Sequence, residues 1–175
     1  MLEPEDMPTN PNLDVPNDVY VVLVEPAVLA GMKYPTKVSG GGLYELGIRH
    51  IIPLTEIEPP YDLSPLAGAT SRFELQDLVY GDPPKDVQRE LDLIREATRA
   101  VLAHVRRGEG VAVHCEGGTG RTGTVLGCAL VRMGNDPDSV ISYLDRVHRA
   151  RKKPGWPEAL WQAEVVRSAR LWVDI

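Results

Sequence analysis

The stretch VAVHCEGGTGRTG, Val111 to Gly123, decides how this chain is read. Its opening, VAVHC, is a short apolar run that reads as a buried strand, and the chain after its glycines reads as a helix from about Arg121 to Met133. A strand that enters a glycine-rich turn and opens a helix aims several backbone N–H groups, and the positive end of a helix dipole, at one point. Any anion is stabilised there. That backbone physics is common to dinucleotide sites, nucleoside-triphosphate loops and phosphate-handling catalytic loops, so the side chains must separate them.

Gly118, Gly120 and Gly123 have G-x-G-x-x-G spacing. No Gly-Lys followed by Ser or Thr is present in the stretch, which excludes a Walker loop. A dinucleotide site needs an acid about 20 residues on, at the end of the next strand. Asp136 and Asp138 stand near that distance, but between two helical stretches, which argues against that reading. The remaining pattern is His114-Cys115, five residues (Glu116, Gly117, Gly118, Thr119, Gly120), then Arg121 and Thr122. A thiol at a helix N-terminus, ringed by amides and near a guanidinium, is held as the nucleophilic thiolate. The five-residue spacer lets the loop curl so that Arg121 faces the same pocket, where its planar fork can hold two phosphate oxygens. His114 precedes the thiol on a strand, so its side chain should point away from the pocket.

Outward from this loop, VYVVLV (Val19 to Val24) is a β-branched run that predicts a buried strand. SGGGLYELGIRHIIPLTE predicts a short helix ending near Gly47 and a strand over Ile48 to Leu54, and the alternation in SRFELQDL predicts another strand. Apolar residues at Val87, Leu91, Ile94, Val101, Leu102 and Val105 mark an amphipathic helix from Asp86 to Arg107, ended by Gly108. Asp136 and Pro137 read as the cap and first residue of the next helix, and a last helix is expected from about Pro157 to Trp172. Strands alternating with helices predict a single α/β domain, a mostly parallel central β-sheet flanked by helices. The domain should span residues 18–175, after a proline-rich flexible tail over 1–17.

The chain has 175 residues and a net charge of −6, with no large basic field to offset phosphate repulsion, so no nucleic-acid partner is expected. No secretory layout opens it and no apolar run suits a membrane helix. Two cysteines, one of them in the glycine loop, read as free thiols in a reducing, cytoplasmic setting. Cys128 lies in the apolar VLGCALV and is expected in the core; His50, His104 and His148 read as ordinary scattered histidines.

VHCEGGTGRTG resembles the signature of cysteine-dependent protein tyrosine phosphatases, and the short chain resembles their compact dual-specificity branch. LGIRHIIPLTE, FELQD and RARKKPGWPEALWQAE resemble further family segments, so the likeness runs from about Val19 to Trp172. It implies hydrolysis of phosphate monoesters without metal or cofactor: phosphotyrosine and, where the pocket is shallow enough, phosphoserine or phosphothreonine of a protein or peptide. Cys115 would form a phosphocysteine, Arg121 and the amides of residues 116–121 would bind the phosphoryl oxygens, and Thr122 would hydrogen-bond the sulfur. His114 would organise the loop from behind. Gln162 would orient the hydrolytic water, or else be a plain exposed helix residue. The general acid would be Asp77 of FELQD, although Glu74 and Gly81 stand where the family often has prolines. Asp82, beside Pro83 and Pro84, is the alternative.

Two other readings stay open. One is a non-protein substrate, a phosphoinositide or an RNA 5′-phosphate, although such phosphoinositide loops often carry lysines where this one has Glu116 and Thr119. Another is a non-catalytic phosphate-binding module. Arg149, Arg151, Lys152 and Lys153 either complement a helix C-terminus or form a basic rim for substrate. Trp156, Trp161 and Trp172 are expected to cover the core, with a place on a rim as the alternative for Trp156. The oligomeric state is not legible.

Overall fold

The computed structural model describes residues 1–56, 63–66 and 71–173. Its strands are β1 (Val19–Leu23), β2 (Leu29–Met32), β3 (Ile48–Pro53) and β4 (Gly110–His114). Its helices are α1 (Gly40–Glu45), α2 (Val87–Arg106), α3 (Gly120–Arg132), α4 (Pro137–Ala150) and α5 (Leu160–Ser168), followed by a 3-10 turn over Ala169–Leu171. The sheet runs β1-β2-β4-β3, with β4 parallel to both β2 and β3 and β1 antiparallel at the edge. Two parallel pairings against one make the sheet mostly parallel, as the alternation of strands and helices predicts. All of β4 is buried, which is why VAVH reads as an unbroken apolar run rather than an alternating one.

The chain leaves β4 at the carboxyl end of the parallel strands, the place where α/β sheets bind ligands. It re-enters regular structure as α3, the central helix: α2, α4 and α5 all pack on it, and only Arg121 and Arg132 along it escape full burial. Asp86 and Asp136 cap α2 and α4, their carboxylates accepting the Arg89 and Ser139 amides. Cys128 sits fully buried among this packing, and burial pushes its thiol well above the ordinary range.

Two elements differ from the sequence reading. The strand expected in SRFELQDL does not form. Phe73 N–H does reach the carbonyl of Pro53, but Leu75 N–H then turns back onto Phe73 O, and Pro53 has no N–H to continue a ladder. β2, in turn, carries no sequence signal, because LAGM is short and has no β-branched residue. Gly31 is needed in it: a side chain there would overlap the ring of Tyr20 across the β1–β2 pair.

Residues 1–17, read as a tail from their prolines, hold one 3-10 turn and lie along the domain. Leu2 N–H bonds Val22 O at 3.0 Å, Leu2 O accepts the Tyr143 hydroxyl at 2.6 Å, and Met7, Asn10 and Leu13 are buried.

Candidate active site

Cys115 is 2% exposed at the mouth of β4, and its Sγ accepts the Gly118 N–H at 3.2 Å. The loop that follows is gripped from behind by its carbonyls. Glu116 O accepts Tyr34 N–H at 3.0 Å. Gly118 O accepts both the Tyr20 hydroxyl at 3.0 Å and Arg151 Nη1 at 3.2 Å. Gly120 O accepts Trp156 Nε1 at 3.2 Å and Thr124 Oγ1 at 2.8 Å. In a trans peptide the C=O and the following N–H point opposite ways, so each carbonyl pinned outward turns an amide inward: those of Gly117, Thr119 and Arg121. Inward amides of this kind can make a local anion seat even on a negatively charged protein. Gly118 adopts φ +68°, and a side chain on it would run into the backbone of Met32 and Lys33.

The gripping side chains are themselves buried. Tyr20 is kept protonated, and therefore a donor, because burial raises its pKa far above the ordinary value. Arg151 lies against the Tyr20 ring at 4.2 Å and donates to His148 Nδ1 at 2.9 Å. Burial pushes His148 down to about 3, leaving it neutral and able to accept. Arg151 is thus a helix-end cation, the C-cap residue of α4, but a buried one rather than part of an exposed basic rim. Trp156 belongs to the buried core, as expected, and its ring lies beneath the loop against Gly123. His114 is fully buried, its Nδ1 3.3 Å from Cys115 O and its ring edge-on to Tyr34. Burial pushes it down to about 4, so it is neutral at physiological pH.

On the open side a cavity of about 210 Å³ brings together Cys115, Arg121, Asp77 and Glu158 with the loop backbone. Arg121 Nη2 pairs with Asp77 Oδ2 at 2.9 Å, its Nη1 donates to Leu75 O at 3.4 Å, and Glu116 lies 3.8 Å away. Asp77 thus reaches the same cavity as the thiol, whereas Asp82 is exposed and lines neither this cavity nor the cleft beside it. That cleft, about 480 Å³, shares Asp77, Glu116 and Arg121 and adds Tyr34, Lys85 and Arg89. Glu90, buried behind Asp77, accepts the Gln76 N–H at 2.8 Å; burial pushes it up to about 7.

Thr122 is buried, and its Oγ1 has no hydrogen-bond partner among the described residues, so the expected bond to sulfur is not made. Gln162 is not an exposed helix residue: it is buried, and its Oε1 accepts the Glu158 and Ala159 amides at 2.9 and 3.2 Å. Glu158 is the residue that sequence reasoning missed. Its Oε2 and Gln162 Nε2 stand where a side chain on Gly120 would be. It follows a cis-proline turn, and no local pattern marks a glutamate there as part of a loop formed about 40 residues earlier.

Elsewhere, among the described residues, one group has the close spacing of metal ligands: His50, His104 and Glu109. It lies at the end of β4 opposite Cys115. The two imidazoles are stacked 3.9 Å apart at 28°, and His50 Nε2, His104 Nδ1 and Arg107 Nη2 all converge on Glu109 Oε2, at 3.2, 2.9 and 2.8 Å, so the carboxylate oxygen already takes the point on which the ring nitrogens meet. These contacts form an ion-paired cap on the α2–β4 turn.

A thiol seated in inward amides, with an arginine and a carboxylate over it at the head of a parallel sheet, defines a cysteine-dependent phosphatase of the dual-specificity kind. The chain belongs to the PTP-SAK family, described as "Swiss Army Knife protein, DSP-PTPase phosphatase domain", which it matches over residues 18–161. It is similar in structure to human DUSP28, with a TM-score of 0.62 at 18% identity over 81% of this chain and 92% of that one. It is similar to Tk-PTP in its active form, with a TM-score of 0.52 at 24% identity over 83% and 92%. It is also similar to PTPMT1 in complex with PI(5)P, with a TM-score of 0.57 at 18% identity over 82% and 90%. At these identities the likeness shows a shared fold. No helix among the described residues is long and apolar enough to cross a membrane.

Proposed function

We propose that this phosphatase hydrolyses phosphate monoesters of phosphorylated proteins or peptides through a phosphocysteine on Cys115. The observation that carries the reading is the meeting of Cys115 Sγ, Arg121 and Asp77 in one cavity roofed by inward amides. Cys115 thiolate attacks phosphorus and the substrate oxygen departs. Arg121 and the amides of Gly117 and Thr119 hold the equatorial oxygens as charge builds on them. Asp77, protonated, gives its proton to the leaving oxygen, then as carboxylate takes a proton from the water that hydrolyses the phosphocysteine. The pairing of Asp77 with Arg121 supports Asp77 over Asp82 as this group. His114, Tyr20, Arg151 and Trp156 keep the loop in shape from behind, and Gln162 does so by holding the turn that carries Glu158.

The wider cleft gives room for the body of a peptide, and its Lys85 and Arg89 are balanced by Glu56, Glu74 and Glu116. A phosphoinositide or RNA 5′-end suits this mixed wall less well, since further phosphates would face Glu116, Asp77 and Glu158. The wild-type chain and Cys115→Ser, assayed on a chromogenic aryl phosphate, test the reading: turnover is expected only from wild type, and equal rates would sink it. A parallel panel of phosphopeptides and inositol phosphates orders the substrate classes, with phosphopeptides expected first.

A further inference from the structure

Glu158 belongs to the turn between α4 and α5, yet its carboxylate lies inside the Cys115 cavity. It stands over Gly120, the first residue of α3, whose N–H has no partner within the helix and accordingly serves the anion seat. Burial and the neighbouring Asp77 favour its neutral form; Arg121, a hydrogen bond from the Gly120 amide and the more distant Lys153 favour its charged one. The carboxylate is aimed there by its own backbone, since Glu158 N–H is held by Gln162 Oε1 at 2.9 Å. Arg121, meanwhile, is engaged by Asp77. The guanidinium and the Gly120 amide, which stands beside the inward amides of Gly117, Thr119 and Arg121, therefore each carry a carboxylate of the chain itself.

The two carboxylates differ in what they can do next. Asp77 lies on a segment that leads out to the cleft where a leaving group would pass. Glu158 sits on the amide side, where a phosphoryl oxygen and a carboxylate oxygen cannot stand together. We propose that Glu158 is a built-in competitor for the phosphate seat: its carboxylate must leave the Gly120 amide when substrate phosphate binds and returns when product phosphate departs. Its role is to set the affinity for phosphate at both ends of the cycle, and it transfers no proton. The inference rests on the phosphatase reading of this loop.

Binding of orthophosphate, measured by calorimetry without turnover, tests it on wild type, Glu158→Gln, Glu158→Ala and Arg121→Ala. Removing the competing charge should tighten phosphate about tenfold in both Glu158 variants, the size of one charge-assisted hydrogen bond. In turnover, KM should fall while kcat holds steady or drops only as far as slower phosphate release requires. Unchanged or weaker phosphate binding in both Glu158 variants overturns the proposal. So does a collapse of kcat that an aryl phosphate with a good leaving group restores, which would mark proton transfer. If phosphate binds none of the four proteins, the phosphatase reading itself fails; if only Arg121→Ala loses it, that reading stands and Glu158 is judged by its own variants. Should the variants fail to fold, the wild-type Gly120 amide resonance reports the same exchange. It shifts on phosphate saturation if the carboxylate yields, and stays in place if it does not.

Discussion

The loop over Cys115–Gly120 and the segment over Phe73–Asp77 carry the thiol and the proposed acid, and they are held in opposite ways. The loop is pinned carbonyl by carbonyl, by side chains from β1, the α4 terminus, the following turn and α3 itself. The acid segment has no strand ladder. It hangs from Phe73 N–H on Pro53, Gln76 N–H on Glu90, and the pairing of Asp77 with Arg121. The difference has a chemical sense. An anion seat stabilises a transition state only if its dipoles are set beforehand, whereas an acid that serves a leaving group and then a water must change partner.

The contrast breaks most sharply at Asp77. Asp77→Ala should lower kcat by about 10²- to 10⁴-fold on a substrate with a poor leaving group, and far less on an activated aryl phosphate. Orthophosphate affinity should not weaken, because Arg121 is freed from its partner. Asp82→Ala should behave as wild type on both substrates, and a loss there equal to that of Asp77→Ala would reverse the assignment. At the loop the opposite pattern is expected. Arg151→Ala should weaken phosphate binding along with kcat, since the Thr119 amide loses its orientation. Thermal unfolding should show a loss of about 1–3 kcal/mol from the unpaired buried groups. Tyr20→Phe, which removes one of the two donors to Gly118 O, should cost about 0.5–1.5 kcal/mol and leave kcat nearly intact.

The tether behind the acid segment sharpens the comparison through pH. Burial raises Glu90 from 4.5 to about 7, so the folded chain holds its proton more tightly than the unfolded one. The associated stability is full below about 4.5 and is lost as pH rises through about 7. Glu90→Gln has no proton to lose, so its melting temperature should rise relative to wild type across that window. The gain at pH 8 should correspond to about 1–3 kcal/mol. A difference independent of pH contradicts the assignment of Glu90 as the titrating group.

The same contrast explains what was legible in the chain. The loop announces itself because Cys115, Arg121 and their spacing are local, and α2 and α4 do so through apolar period and Asp caps. What holds the loop is not local: Tyr20 reaches Gly118 across 98 positions and Arg151 across 33, and neither pairing leaves a pattern along the chain. Arg151 sits among four cations and reads as one more surface charge until its burial is known. Phe73 and Leu75 alternate as a strand would, but Pro53 closes the edge they would need. Asp82 stays an alternative to Asp77 at the level of sequence because the path of the chain into the cavity, which separates them, is not written locally.

The most direct test is to trap the intermediate. Wild-type protein mixed with an aryl phosphate and quenched in acid within the first turnover should carry one phosphoryl group on the peptide containing Cys115. Asp77→Asn should carry more of it, because its hydrolysis is slowed after the leaving group has gone. Turnover at the wild-type rate with no phosphate on Cys115, or with phosphate on another residue, would contradict the account.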